Sequence, residues 1–349
     1  MPPRWAPIAA ACLFLVLTAC TAGAGRGAGP GASSTSAATA DGEPAKLVAA
    51  GDVACGPDIE ITSEQCQQEA TATQVERLNP DAVLVLGDIA YEQVTPESIK
   101  AYDASWGRFL DRTHAVVGNH EYLGDGPDAY WDYFGDRAGD RGSGWYSFDV
   151  GAWHVVVLNS ECKDVDCDPD GDQLQWLAGD LEADTARCTL AAFHRPRFSS
   201  GEEYGDDESV SGLWQALQDE GVDVVLNGHE HSYERFAPQR DSGRATADEG
   251  MAEFVVGTGG RDLRGFNDAK PNSEVRWNDS FGVLALTLHP DRYDWRFGPC
   301  GRRNAARRTV HRTRSHTWQV QHHGTCGKPS ERTLFVREYG TWPRHRGSL

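Results

Sequence analysis

The chain is predicted to fold as an α/β sandwich over residues 46–298, and three observations predict it. Apolar runs of strand length alternate with helix-period segments from Lys46 to Val117, the β-α-β-α-β pattern of a mostly parallel sheet. Val83–Leu86 is apolar at every position, as a strand buried on both faces must be. Further apolar runs continue to Phe297 and call for a second sheet packed on the first.

Taken in order, strand Lys46–Ala50 opens the fold. A helix over Ser63–Leu78 follows, with Thr62 and Gln65 spaced as a capping box and Asn79-Pro80 as its stop. Strand Asp81–Leu86, a helix over Glu97–Leu110 and strand His114–Val117 come next. Trp145–Val150 and His154–Asn159 form a hairpin around Gly151. Helix Asp172–Asp184 carries Leu174, Leu177 and Leu181 on one face. Strand Thr189–Phe193 leads to helix Ser209–Glu220, whose Val210, Leu213, Trp214 and Leu217 have core spacing. Strand Val222–Leu226 follows, and Glu253–Val256 with a hairpin over Gly282–Phe297 closes the second sheet.

The 349 residues carry a formal charge of −19, which argues against a nucleic-acid partner because little would neutralise phosphates. Residues 299–349 hold eleven Lys and Arg against two Glu, so the charge of the remainder is more negative still. That last stretch loses hydrophobic periodicity; it is a basic tail, or the product of a displaced reading frame in GC-rich DNA. At the other end, Arg4 and the short apolar run Ile8–Thr18 form an export signal, too short for a bilayer core of roughly 30 Å. Residues 1–19 are this signal, and residues 20–45 are a Gly/Ala/Ser/Thr-rich tether. Leu17-Thr18-Ala19-Cys20 resembles a bacterial lipobox, which implies lipid attachment at Cys20 and anchoring at the outer face of the cell membrane; plain secretion after Ala19 is the alternative.

Seven cysteines follow Cys20, and pairing is the default for an exported chain. Cys55 with Cys66 would close a short loop beside Asp52, and Cys300 with Cys326 would close the tail. Of Cys162, Cys167 and Cys188, one is then left over.

The ends of the strands carry the chemistry. Leu47–Ala50 ends in Gly51-Asp52, and Val83–Leu86 in Gly87-Asp88-Ile89-Ala90-Tyr91. His114–Val117 ends in Gly118-Asn119-His120-Glu121, Thr189–Phe193 in His194, and Val222–Leu226 in Asn227-Gly228-His229-Glu230-His231. Open α/β folds place ligands at this edge. Asp52, Asp88, Tyr91, Asn119, His194, His229 and His231 are too many donors for one tetrahedral ion. They suit two ions about 3.5–4 Å apart sharing a carboxylate, and Asp88 is the natural bridge. His229 and His231 point the same way in extended chain, with Glu230 facing out. Asn119 and His120 point apart, which leaves His120 free of metal. Arg195 offers a planar fork for phosphate, or is a surface arginine. The acidic segment Gly201–Glu208 is a solvated loop, or it overhangs the cleft and repels polyanions.

These blocks resemble the five blocks of the calcineurin-like metallophosphoesterases, and Tyr91, three residues after Asp88, resembles the purple acid phosphatase branch. The resemblance covers roughly Lys46–Phe297. It implies a metallophosphoesterase β-sandwich of two mixed sheets flanked by helices (αββα). It also implies one ion on Asp52, Asp88, Tyr91 and His231, and a second on Asp88, Asn119, His194 and His229. Hard phenolate and carboxylate donors favour Fe(III) at the first position, and the second suits Zn, Mn or Fe(II). The implied reaction is hydrolysis of phosphate monoesters, with hydroxide generated by the ions attacking phosphorus and His120 protonating the leaving group. Phosphodiesters or nucleotides are the alternative substrates, and a non-catalytic metal-binding module the alternative class. Two departures touch no ligand: Asp52-Val53-Ala54 stands for Asp-x-Gly, and Ala191 for the valine of Val-x-x-His. The branch's further substrate histidines have no match in Arg195-Pro196-Arg197-Phe198-Ser199-Ser200, so substrate must be positioned differently.

Overall fold

In the computed structural model, residues 42–247, 249–300 and 322–327 are described. The export signal, Cys20, most of the tether and most of the 299–349 stretch lie outside them. Among the described residues no helix is long and apolar enough to cross a membrane.

Two mixed sheets pack face to face. The first has six strands in the order His322–Thr325, Arg292–Pro299, Gly282–His289, Ala45–Ala50, Ala82–Leu86, Thr113–Val116. The last three run parallel, and Ala45–Ala50 meets Gly282–His289 antiparallel. The second has seven, in the order Ser273–Trp277, Tyr233–Gln239, Met251–Val256, Val224–Asn227, Cys188–Ala192, Trp153–Val157, Tyr146–Val150. Its four central strands, from Met251–Val256 to Trp153–Val157, are parallel.

Strand alternation builds two cores from one sheet. Val155, Val157, Leu190, Ala192, Val224 and Leu226 belong to the main core with residues of the first sheet. Their neighbours Val156, Leu158, Ala191, Phe193 and Val225 turn to the opposite face, as the two-residue period requires. There they meet Leu174, Leu177 and Leu181 of helix Asp172–Ala183 and Leu213, Trp214 and Leu217 of helix Ser211–Asp219. Leu217 is fully buried in this layer, and truncating such a leucine to alanine costs about 2–5 kcal/mol.

Several expectations are corrected. The hairpin over Gly282–Phe297 joins the first sheet, beside Ala45–Ala50, rather than the second. Apolar alternation identifies a buried face but not the partner strand. The first helix begins at Gln68, with no side-chain cap, instead of at Ser63. Thr62 accepts the amide of Glu64, and Gln65 bridges to Asp262, so the capping-box spacing is coincidental. The Cys55–Cys66 disulfide forms as expected and holds this stretch out of the helix. The segment expected as one helix over Glu97–Leu110 divides into helix Pro96–Asp103, capped by Thr95, and a 3-10 turn over Trp106–Arg112. Cys300 does not pair with Cys326: Cys326 bonds Cys188, Cys162 bonds Cys167, and Cys300 is free. The His322–Thr325 strand carries Cys326 along the sheet edge to meet Cys188, which spacing alone does not reveal.

Candidate metal centre

The C-terminal ends of strands from both sheets meet at one edge of the sandwich. Each chain segment must turn sharply there, and Asp52, Asp88 and His229 do so with φ of 60°, 50° and 71°. Non-glycine residues seldom adopt this conformation, and they concentrate at functional sites. Close approach explains the glycines. A Cβ on Gly87 would lie 2.4 Å from Nδ1 of His194, and one on Gly118 would lie 2.4 Å from Oδ1 of Asp88.

All seven donors named from the sequence come together here, and six of them fall into two groups flanking Asp88. In the first, the Tyr91 hydroxyl donates to Oδ1 of Asp52 at 2.7 Å or Oδ2 of Asp88 at 2.9 Å, and lies 3.0 Å from Nε2 of His231. In the second, Nε2 of His194 lies 3.3 Å from Oδ2 of Asp88, 3.2 Å from Oδ1 of Asn119 and 3.2 Å from Nδ1 of His229. One donor atom each of Asp88, His194 and His229 lie within 4.8 Å of one another. Oδ2 of Asp88 faces both groups.

The donor set fits hard or borderline cations. His194 spends Nδ1 on the Leu86 carbonyl at 2.7 Å, and His231 spends Nδ1 on Oδ1 of Asp262. Both rings therefore keep Nε2 turned inward, the arrangement outer-shell partners impose on metal-binding histidines. Asp52 and Asp88 are themselves oriented by the amides of His229 and His120, at 2.9 Å each. Buried Glu121 accepts the amides of Gly118, Asp88 and Ile89, which fixes the two turns against each other. Burial, then the charge of Asp88, pushes its carboxyl up to about 8.

The electrostatics are those of a site short of positive charge. Burial opposes charge on His194, yet Asp88 and then Asp52 lift it to about 10. Burial, then Asp52 and Asp88, holds the Tyr91 phenol well above its ordinary range. Burial, with His194 and Arg195 nearby, pushes His229 well down. A cation bound here would compete with the protons on His194 and Tyr91.

His120 stands beside this cluster. Its Nδ1 is hydrogen-bonded to the Glu92 carbonyl, and its Nε2 sits 3.8 Å from Asp88. Arg195 is no free fork: Glu161 takes Nε at 3.0 Å and NH2 at 2.9 Å, while NH1 lies 3.3 Å from Nε2 of His229 and 3.5 Å from Asp207. Glu230 does not face solvent. It turns away from the donors but is fully buried, accepting the amides of Tyr204 and Gly205. That bond lays the acidic loop over the site, where the Tyr204 ring stacks on His229 at 4.0 Å. Its acids are largely engaged: Glu202 accepts the Gly265 amide, Asp206 pairs with Lys270, and Glu208 with Arg197.

Sequence reasoning missed Asp262 and Glu161. Asp262 had a faint signal in Gly259-Gly260 just before it. A Cβ on Gly259 would lie 2.3 Å from the Gly51 carbonyl, so this loop crosses directly over the Asp52 turn. Glu161 had none.

The model of the calcineurin-like phosphoesterase family matches residues 45–233, more than half of the chain. The chain is 28% identical over 289 residues to a probable purple acid phosphatase of Arabidopsis thaliana, covering 72% of this chain and 61% of the relative. It is 31% identical over 202 residues to an uncharacterized protein of Mycobacterium tuberculosis, covering 48% of this chain and 36% of the relative. The fold is similar to that of a purple acid phosphatase from yellow lupin (Lupinus luteus) seeds, with a TM-score of 0.62 at 20% identity over 75% of this chain and 52% of that one. The chain spans between about a third and three fifths of the length of the curated relatives it matches. Matching blocks, fold and converging donors agree: the chain belongs to the calcineurin-like phosphoesterase family, on its purple acid phosphatase-like branch.

Proposed function

We propose that the protein hydrolyses phosphate monoesters outside the cytoplasm with two metal ions. Asp52, Asp88, Tyr91 and His231 would hold one, and Asp88, Asn119, His194 and His229 the other. The observation that carries this reading is the position of Asp88, whose Oδ2 lies 2.9 Å from the Tyr91 hydroxyl and 3.3 Å from Nε2 of His194. Fe(III) suits the phenolate side, and Zn, Mn or Fe(II) the imidazole side.

Two such ions, when bound, supply a nucleophile at neutral pH and the positive charge that holds a phosphoryl group in line. The chain's own residues do the rest. Tethering Nδ1 of His120 to the Glu92 carbonyl leaves Nε2 to carry a proton to the departing alkoxide. The stacked Tyr204 ring shields the outer side of His229 from water.

Three disulfides among the described residues fit an oxidising compartment. Residues 1–19 would serve as the export signal, Cys20 as the lipid-bearing residue and most of 20–45 as the tether, while the basic 299–349 stretch contributes strand His322–Thr325 and Cys326 to the domain. The small phosphorylated substrate would then meet the enzyme at the cell surface.

The test is elemental analysis of the purified protein combined with hydrolysis of a chromogenic monoester and the matching diester. Two ions with monoester preference support the reading. Diester preference would move the substrate class, and two ions without hydrolysis of either would leave a metal-binding module.

A further inference from the structure

The loop laid over the metal centre also walls a cavity. Its residues from Ser199 to Asp206, with Asn267 and Lys270 opposite, enclose about 340 Å³. The two walls are fastened to each other. The Glu202 amide donates to the Gly265 carbonyl at 3.1 Å, the Asn267 amide to the Ser200 carbonyl at 2.9 Å, and the Lys270 amide to Oγ of Ser200 at 2.9 Å. The cavity is therefore formed before any ligand arrives, and Glu202, Tyr204 and Asn267 on its walls are exposed. Tyr204 belongs to both places. Its ring stacks on that of His229 with centroids 4.0 Å apart, yet it lines the cavity and stays 48% exposed. Glu230, between His229 and His231, holds the amides of Tyr204 and Gly205. One aromatic side chain thus separates the cavity from a donor of the centre.

The lining decides what the cavity can take. Apart from Tyr204 and two glycines, every lining residue has a hydrogen-bonding side chain: Ser199, Ser200, Glu202, Asp206, Asn267 and Lys270. An alkyl chain finds no apolar wall there. A second phosphate would meet Glu202 and Asp206, and Lys270 already pairs with Asp206 at 2.8 Å. A neutral body with several hydroxyls suits this lining. Hydroxyls can donate to the Glu202 carboxylate and the Asn267 carbonyl and accept from the Lys270 ammonium, while the C–H face of a sugar ring packs on Tyr204. Resting on the hydrolase reading above, we infer that this cavity is the leaving-group subsite of the centre and takes the sugar or polyol part of a phosphate monoester.

The test compares glucose 6-phosphate with hexyl phosphate, which has the six carbons without the hydroxyls. Titrated calorimetrically into the metal-loaded protein, glucose 6-phosphate should bind roughly 10- to 100-fold more tightly, the range for two net hydrogen bonds, and kcat/KM should follow the same order. Asn267→Ala and Tyr204→Leu should each cut that preference by about 3- to 10-fold at intact metal content. Lys270→Met gives the same reading from the opposite wall should either variant fail to fold. A parent that binds both esters alike, or a preference that survives these substitutions, would overturn the assignment. So would tighter binding of nitrophenyl phosphate than of glucose 6-phosphate, because the cavity would then be a shelf for aromatic rings. If glucose 6-phosphate shows the expected preference and neither ester is hydrolysed, the subsite stands and the hydrolase reading falls. Equal binding and equal hydrolysis of both would leave the hydrolase and remove the subsite.

Discussion

Two clusters in this molecule are built from histidine and aspartate, and only one of them suits a metal. His154, on strand Trp153–Val157, lies between carboxylates: Nδ1 is 3.0 Å from Asp149 and Nε2 is 2.8 Å from Asp180, with Asp184 at 4.0 Å. Both nitrogens are spent, and the ring ties the end of helix Asp172–Ala183 to the second sheet. At the candidate metal centre, His194 and His231 each spend one nitrogen on the protein and keep the other turned toward a buried carboxylate. Residue composition does not separate the two clusters. The nitrogen left over does, together with a carboxylate that faces two groups at once.

The most damaging way to break the contrast is Asp88→Ala. Because Asp88 faces both donor groups, activity should fall below detection and both ions should be lost on elemental analysis. Retention of two ions would show that Asp88 does not bridge. His120 sharpens the contrast, since its spare nitrogen is assigned to a proton instead of a cation. His120→Ala should slow hydrolysis of an alkyl phosphate ~10²–10⁴-fold and of nitrophenyl phosphate far less, with metal content intact. A uniform loss on both esters would make His120 a support for the site. Asp262→Asn removes the partner that orients His231 and should weaken metal binding ~10–100-fold in a chelator competition. Unchanged affinity would mean that Asp262 orients nothing.

The smallest effect belongs to the other cluster. Burial opposes charge on His154, but Asp180, Asp149 and Asp184 raise it above the ordinary imidazole value of about 6.5. A raised folded value means the charged ring stabilises the fold fully below about pH 6.5 and progressively less as pH rises through the folded value. In denaturant titrations His154→Gln should therefore differ most from the parent near pH 6 and approach it in alkali, with metal content unaffected throughout. A difference independent of pH would show that the ring acts by packing alone.

Much of the centre could be read from the chain, because its signals are local. An apolar run, a glycine and a donor within a few residues describe Asp52, Asp88, Asn119 and His229 completely. The two-residue spacing of His229 and His231 needs no knowledge of distant sequence. Asp262 and Glu161 have no such frame: each sits in irregular chain and gains its role from a partner far off in sequence. The same limit governs the fold. Alternation placed the buried faces correctly, yet could not say that Gly282–His289 would pair with Ala45–Ala50. Cysteine spacing suggested Cys300 for Cys326, whereas a strand that periodicity did not reveal delivers Cys326 to Cys188.

That last disulfide has a temporal consequence. Cys55–Cys66 and Cys162–Cys167 link neighbours 11 and 5 residues apart, and each can close as soon as its own loop has emerged. Cys188–Cys326 spans 138 residues and joins a strand of one sheet to the edge of the other. Closing a loop of that size removes roughly 5 kcal/mol of chain entropy from the unfolded state, the largest share of any of the three. It cannot be made until the His322–Thr325 strand has arrived, so it works as a late latch: everything from Cys188 to Cys326 must be delivered before the two sheets are locked.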